Sequence, residues 1–368
     1  MWYCKIITGA AVFAGTVLLA GSSISAEITT KQADSSKKSP SELYLQAVQC
    51  YENKEYIQAF SLAGKSAAAG HLPARHILAM CHENGNGAAK NAAQAFLHYR
   101  ACAEKGLSHS EYRLAGLYFK GEGTDKDLPQ AFYWYKRAAE HGHSQAQFLT
   151  AMFYKNGIGT AKNQDLAIQW FQKSVQQGNS SAQAELGKCF KNGNGVEKDD
   201  EKAVQLYKKS AAQGNHFGLL YLACHYAENM NYNKAFELFK KSAEAGNAEA
   251  LFHLGNCYFN GWGVNKDDTM ATRYWNQAAQ KKHTPAMFRI AQSYITGEFN
   301  DRRYGIAASF CFGATQHGYV PAHFYIGLFY HFGYPFRANA KRAKKHLEIA
   351  ARHGYEPAQK ALSTLGYK

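Results

Sequence analysis

The chain has 368 residues, 46% of them hydrophobic and 14% aromatic, so length and composition put no obstacle in the way of a buried core. Its 42 Lys and Arg against 28 Asp and Glu leave a net charge of +14. That excess favours acidic partners such as anionic proteins, polysaccharides, lipid surfaces or nucleic acid, and selects none of them.

The chain opens with MWYCK, a short and weakly basic start, followed by the uncharged apolar run IITGAAVFAGTVLLA. GSSISAEITT then supplies small residues, with Ser22 or Ala26 as cleavage points. The apolar run is short for a membrane span, so residues 1–26 are expected to be a secretory signal peptide. An uncleaved inner-membrane anchor made by residues 6–20 is the alternative. Residues 27–40, EITTKQADSSKKSP, are polar and turn-rich and read as a disordered linker. The expected location is exported, either periplasmic or secreted.

From residue 41 the chain repeats. Gly70, Gly106, Gly142, Gly178 and Gly214 recur at intervals of 36 residues; Gly246 follows after 32, and Gly318 and Gly354 resume the 36-residue register, with Lys282 in the place of one glycine. Eleven residues before each marker stands an alanine: Ala59, Ala95, Ala131, Ala167, Ala203, Ala235, Ala271, Ala307 and Ala343. Nine residues after the markers comes Ala or Gly, from Ala79 to Gly327, and twelve after comes a ring, from His82 to Tyr330. Small residues at a helix crossing let two backbones approach, and the ring beside each fills the adjoining space. Apolar residues spaced by three and four, as in Ala203, Leu206, Tyr207 and Ala211, mark amphipathic helices. Each unit therefore reads as helix A, a turn, helix B and a short return loop.

The stretch NGNGVEKDD (192–200), with two close glycines, looks like a phosphate loop. A phosphate loop occurs once, after a strand; this pattern occurs five times, between two helices. The glycine pairs Gly85/Gly87, Gly121/Gly123, Gly157/Gly159, Gly193/Gly195 and Gly261/Gly263 thus belong to the A-to-B turn, the first of each pair ending helix A in the left-handed region. Asn91, Asp127, Asn163, Asp199 and Asp267 fit N-caps of helix B, and Gln94 and Gln130 stand at capping-box spacing. Residues 41–70 and 215–246 lack the glycine pair and carry the shorter turns YENKEY and AENMNYN.

Leu254-Gly255, Tyr258, Gly261-Trp262-Gly263-Val264, Asp267, Ala271, Tyr274-Trp275 and Ala278-Ala279 closely resemble the Sel-one-like repeat family, relatives of the tetratricopeptide repeats. The resemblance covers about residues 41–366: nine helix pairs and a half-repeat, EPAQKALSTLGYK, that looks like a capping helix. It implies an all-α fold, a right-handed α-solenoid of stacked helix-turn-helix repeats with a 36-residue period. It also implies a monomeric, non-catalytic protein-interaction scaffold with no cofactor, acting for secreted members in envelope assembly, signalling or host interaction. Some relatives suggest a beta-lactamase-like or peptidoglycan-related activity, so an envelope hydrolase or a peptidoglycan or glycan binder is the second reading.

The chain contains no CxxC, HExxH or GxSxG. With the signal removed, seven cysteines remain, from Cys50 to Cys311, irregular in number per repeat; they read as buried thiols in place of Ala or Leu. His71, His141, His143, His216, His283, His317 and His353 lie near the return loops, too far apart between neighbouring repeats to share a metal, and read as solvated helix C-terminal residues. An aromatic–basic nucleic-acid module is missing.

By analogy with tetratricopeptide repeats, helix A positions six, ten, thirteen and fourteen past each marker are expected to face a concave groove. They hold Tyr112, Phe148, Phe252, Phe288 and Phe324; Phe119, Lys155, Lys191 and Phe259; and Asn84, Asn156, Asn192 and Asn260. Rings, cations and amides suit an extended peptide or a protein's terminal segment. The opposing possibility is that the position-six ring packs on the next repeat and each asparagine simply ends helix A. A basic patch, Lys341, Lys345 and Arg352, falls on one face of KRAKKHLEIAARHG, opposite Ala343, Leu347 and Ala350; an anionic glycan or membrane surface is its sharper partner, a solvated face its plain meaning.

Overall fold

The computed structural model describes residues 38–298 and 302–367. The expected signal peptide, its anchor alternative and all but the end of the expected linker lie outside these residues. Among the described residues there are nineteen helices and no strand. The chain divides into two compact units, residues 1–177 and 178–368.

Unit 1 contains α1 (Pro40–Glu52), α2 (Tyr56–Ala68), α3 (Leu72–Asn84), α4 (Ala92–Ala103), α5 (Ser108–Lys120), α6 (Leu128–Glu140), α7 (Ser144–Asn156) and α8 (Gln164–Gln176). Unit 2 contains α9 (Ser180–Asn192), α10 (Asp200–Ala212), α11 (His216–Glu228), α12 (Tyr232–Glu244), α13 (Ala248–Asn260), α14 (Asp268–Gln280), α15 (Thr284–Thr296), α16 (Tyr304–Gln316), α17 (Val320–Phe332), α18 (Ala340–Arg352) and α19 (Glu356–Thr364). Odd-numbered helices are A helices and even-numbered ones B helices. Each A helix packs on its own B helix, and within a unit each B helix packs on the next A helix.

The local chemistry that sets helix ends follows the sequence. Gly85, Gly121, Gly157, Gly193 and Gly261 close their A helices with φ between 67° and 75°, where a side chain would cost roughly 1–2 kcal/mol. The side chains of Asn91, Asp127, Asn163, Asp199 and Asp267 accept the backbone N–H three residues on, capping the B helices. The complete reciprocal capping box occurs at Ser39 and Glu42, whereas at Asn91 and Asp127 the bond is from the backbone N–H of Gln94 and Gln130. The backbone N–H of each capping residue also bonds back to the carbonyl of the ring residue in helix A: Asp127 to Tyr118 at 3.0 Å, Asp267 to Tyr258 at 2.9 Å. Thus the turn is closed at both ends. Pro40 starts α1 at its first position, so the helix begins on the last residue assigned to the linker.

Packing between repeats uses three devices. The nine marker-minus-eleven alanines are 0–1% exposed, which places every one of them where a B helix crosses its neighbours. The second glycine of the turn lies against the first turn of the preceding B helix; a Cβ would collide with the carbonyl of Tyr56 at Gly87, Ala92 at Gly123, Leu128 at Gly159 and Tyr232 at Gly263. Ring twelve of helix A then meets a phenylalanine of the preceding B helix edge to face: Phe96–Tyr118 at 5.3 Å, Phe132–Tyr154 at 5.0 Å and Phe236–Tyr258 at 5.5 Å.

Within a repeat, helix B is tied to the start of its own helix A by a polar contact. Four residues before the marker, buried Ser66, Ser174, Ser210 and Ser242 donate to the carbonyls of Pro40, Ser144, Ser180 and His216 at 2.6–2.9 Å. Cys102 occupies the same position and reaches the Leu72 carbonyl at 3.4 Å, so this thiol stands in for a serine. Among the described residues seven cysteines are free; six are buried, and Cys224 is half-buried. Burial pushes the Cys257 and Cys311 thiols up to about 12, which keeps them protonated and inert.

The return-loop histidines divide, and the sequence reading needs correction. His141, His317 and His353 do follow helix C-termini. His71, His143 and His283 instead precede A helices as N-cap residues, and His216 opens α11. Nδ1 of His143 accepts from Ala146 N–H at 3.2 Å and that of His283 from Ala286 N–H at 3.3 Å. An acceptor nitrogen beside the positive end of a helix has no use for a proton, and burial, the largest cause, lowers both imidazoles to about 4.

Candidate interaction surface of the A helices

In unit 1, α5 and α7 carry the candidate residues. Tyr112 is half-buried and stacks on His143 of the following repeat, 4.5 Å between centroids at 12°, so its ring joins two repeats. Phe148 is 2% exposed and packs on Phe171; Phe119 is 9% exposed and packs on Phe153. Little of either ring is left to offer a partner. Lys155 is half-buried at the end of α7, and Asn156 beside it is exposed.

Unit 2 repeats the scheme. Phe252 meets His283 at 5.1 Å, Phe288 meets Tyr319 at 5.2 Å and Phe324 meets Tyr355 at 5.6 Å. The position-six ring therefore packs in each case on the residue preceding the next A helix. Phe288 is 8% exposed; Phe252 and Phe324 are half-buried. Lys191 is held between Glu228 at 2.8 Å and Asp200 at 3.3 Å, and the Glu228 hydrogen bond leads the effects that raise its pKa. Phe259 lies under the Arg289 guanidinium at 4.6 Å and against Trp275. Asn192 and Asn260 are exposed.

The asparagines share one geometry. Nδ2 of Asn84, Asn156 and Asn260 donates to the carbonyl four residues earlier, Met80 at 3.0 Å, Met152 at 2.7 Å and Asn256 at 2.9 Å. Each amide thereby satisfies a terminal carbonyl of its helix. Oδ1 of each accepts no hydrogen bond among the described residues, which leaves an acceptor at the A-helix end in these three repeats.

In the basic patch on α18, Lys341 and Lys345 are exposed and make no ion pair among the described residues, while Arg352 pairs with Glu348 at 3.2 Å. Ala343, Leu347 and Ala350 on the opposite face are fully buried. Position five of the A helices, which the sequence reading passed over, carries a buried polar ladder. Glu111 meets His141 at 2.7 Å, Gln147 meets Gln177 at 2.8 Å, and Gln183 meets Gln213 at 2.9 Å. The constant separation of 30 residues was the available signal. Among the described residues no group of three metal-ligating side chains is assembled, and no helix is long and apolar enough to cross a membrane.

The pattern of the Sel1 repeat family matches residues 72–107, 108–143, 144–179, 180–215, 226–247, 248–283 and 320–355. The chain belongs to the Sel1 repeat family. The stretch between the last two matched Sel1 repeats, residues 284–319, keeps Gly297 alone of the turn pair, and just before it, at the end of a matched repeat, Lys282 replaces a marker glycine in the left-handed region at φ 64°. Among solved structures, the chain is similar to a protective antigen present in uropathogenic Escherichia coli strains with an SLR fold. That match has 27% identity and a TM-score of 0.63, over 88% of this chain and 72% of that one. It is also similar to a Sel1 repeat protein from Oxalobacter formigenes, with 31% identity and a TM-score of 0.61, over 64% of this chain and 96% of that one. No curated protein matches. Sel1 repeat proteins generally serve as scaffolds for protein interaction, and the fold is typically non-catalytic.

Proposed function

We propose that this Sel1 repeat protein is an exported, non-catalytic scaffold that holds an extended segment of a protein partner along the ends of its A helices. The asparagines at the A-helix ends carry this reading, Asn84 and Asn156 in unit 1 and Asn260 in unit 2, each unit taken by itself. Asn84, Asn156 and Asn260 turn Nδ2 onto their own helices and keep Oδ1 unused, and an extended peptide presents backbone N–H groups that need such acceptors. Lys155 on α7 and Phe252 and Phe259 on α13 stand on the same helices and supply charge and ring surface, and Phe324 adds a ring on α17. Tyr112, Phe148 and Phe288 support them from within. The protective-antigen relative supports an envelope or host-facing setting. Lys341 and Lys345 favour, as a second contact, an anionic glycan or membrane surface.

Affinity capture from envelope and host-cell extracts tests the reading, with the full chain beside a variant carrying Asn156→Ala, Lys191→Ala, Asn192→Ala and Asn260→Ala at unchanged helicity. A discrete protein captured by the wild type and lost by the variant is the expected result. Equal capture by both refutes the A-helix site. Retention of an anionic polysaccharide or anionic vesicles, abolished by Lys341→Ala with Lys345→Ala, supports the second contact.

A further inference from the structure

The turn between α11 and α12 departs from its counterpart in the first repeat. Asn53-Lys54-Glu55 and Asn229-Met230-Asn231 are both three-residue turns whose middle residue takes positive φ, 66° at Lys54 and 58° at Met230. Such a residue is strained relative to glycine. Lysine there keeps its ammonium in water, whereas Met230 puts a thioether into solvent with 77% of its surface exposed. In the following turn, Trp262 takes the place that Asn86 holds after the first repeat, and it is 40% exposed. Trp262 stacks on Tyr232 at 5.3 Å and 9°. Gly263, packed on the Tyr232 backbone, fixes that stack in place.

Beside the stack is an open surface hollow of about 440 Å³ lined by Asn229, Met230, Asn231, Tyr232, Asn233 and Gly263. None of these carries a charge at neutral pH, in a chain with 42 Lys and Arg. The three amides divide their hydrogen-bonding capacity. Asn229 donates to the His225 carbonyl at 2.8 Å and keeps its oxygen. Asn231 accepts from Lys234 N–H at 3.4 Å and keeps its NH2. Asn233 is exposed and has both ends unused among the described residues.

We propose that this hollow is a subsite for a neutral pyranose unit of an oligosaccharide. Hydroxyls both donate and accept, as the three amides require. The apolar C–H face of a pyranose suits a ring or a thioether. The missing charge disfavours a charged ligand, and a volume of this size matches a small-ligand site rather than a peptide groove. The positive φ belongs to the turn, since Lys54 shares it, but the exposure of the Met230 thioether and of Trp262 is a feature that a bound ligand would use and that packing within the repeats does not require.

Titration of the full chain with cellohexaose, maltohexaose and chitohexaose, followed by calorimetry and Trp emission, tests the proposal. Trp134, Trp170 and Trp275 are 7%, 8% and 0% exposed, so an outer ligand reports through Trp262 among the described tryptophans. At least one oligosaccharide is expected to bind saturably, and Trp262→Ala and Met230→Lys to weaken it about tenfold or more. Lys54 shows that this turn accepts lysine, so Met230→Lys is expected to keep its helicity. The A-helix variant of the preceding section is expected to bind sugar unchanged, which separates the two proposals. Absence of saturable binding up to about 10 mM, affinity undiminished in both variants, or preference for an anionic heparin oligosaccharide or a peptide at this site overturns the proposal.

Discussion

Replacing Gly123 with alanine tests how one repeat is held to the next, and Gly142 provides the control. Both glycines have positive φ, 72° and 83°, so alanine at either is disfavoured by about 1 kcal/mol. Around Gly142 a Cβ meets nothing within 4 Å, and the expected loss ends there. At Gly123 the Cβ collides with the Ala92 carbonyl and comes within 2.9 Å of Ala93 N. Both atoms belong to the start of α4, and Gly123 belongs to a turn pinned by the Asp127–Tyr118 bond, so neither side yields without parting the repeats. Such overpacking adds about 1–3 kcal/mol, for a total of about 2–4 kcal/mol. A repeat array does not unfold as one unit, so the proper readout is local. Hydrogen exchange of peptides spanning 92–128 is expected to speed up about 30- to 1000-fold in Gly123→Ala and about fivefold around the return loop in Gly142→Ala. Peptides of unit 2 serve as the internal reference. If Gly123→Ala loosens its region no more than Gly142→Ala, the close approach is not what joins the repeats.

Three further outcomes follow from the same contacts. Gly255→Ala drives a Cβ into the Trp275 indole and is expected to lower stability by about 1–3 kcal/mol; adding Trp275→Phe should restore most of it, since Ala151 and Phe171 occupy the same pair of positions in unit 1, and a denaturant titration of the double-mutant cycle decides. Glu111 is fully buried between Arg137 at 3.3 Å and His141, so Glu111→Gln is expected to cost about 1–3 kcal/mol; Glu111→Gln with His141→Gln recreates the Gln147–Gln177 pair and should recover stability, and a double variant worse than the single would refute the ladder. Burial holds the His76 and His143 imidazoles at about 3 and about 4, below the unfolded value of about 6.5. The unfolded chain therefore takes up protons first, and stability present above pH 6.5 is lost as pH falls toward 4. His143→Asn keeps the cap, as Asn179 and Asn215 do, and melting temperatures from pH 7.5 to 4 should lose part of that acid decline; an unchanged decline rules out His143 as a contributor.

Local chemistry was legible in the residues. Gly121 must end α5 because a left-handed residue follows, and Asp127 must start α6 because its carboxylate caps the N–H groups there. Each of those decisions involves atoms a few residues apart, and nine copies of the pattern made the period visible. Surface was not legible in the same way. Tyr112 and Asn156 looked alike as groove candidates, yet one stacks on His143 and the other stands in solvent. His143 looked like a residue ending a helix and is one that begins the next.

What the sequence by itself determined is the all-α repeat, its 36-residue period, its turns and its caps, because these rest on backbone conformation and short hydrogen bonds within one unit. What only the tertiary structure decided is which side chains face outward. The Glu111–His141 ladder, the Gly255–Trp275 contact and the stack of Trp262 on Tyr232 all join residues about 20 to 30 positions apart. Such pairs come into contact when helices settle at their packing distance. The same residue type at the same repeat position is then buried or exposed according to the size of its neighbour, and a periodic pattern carries no record of that.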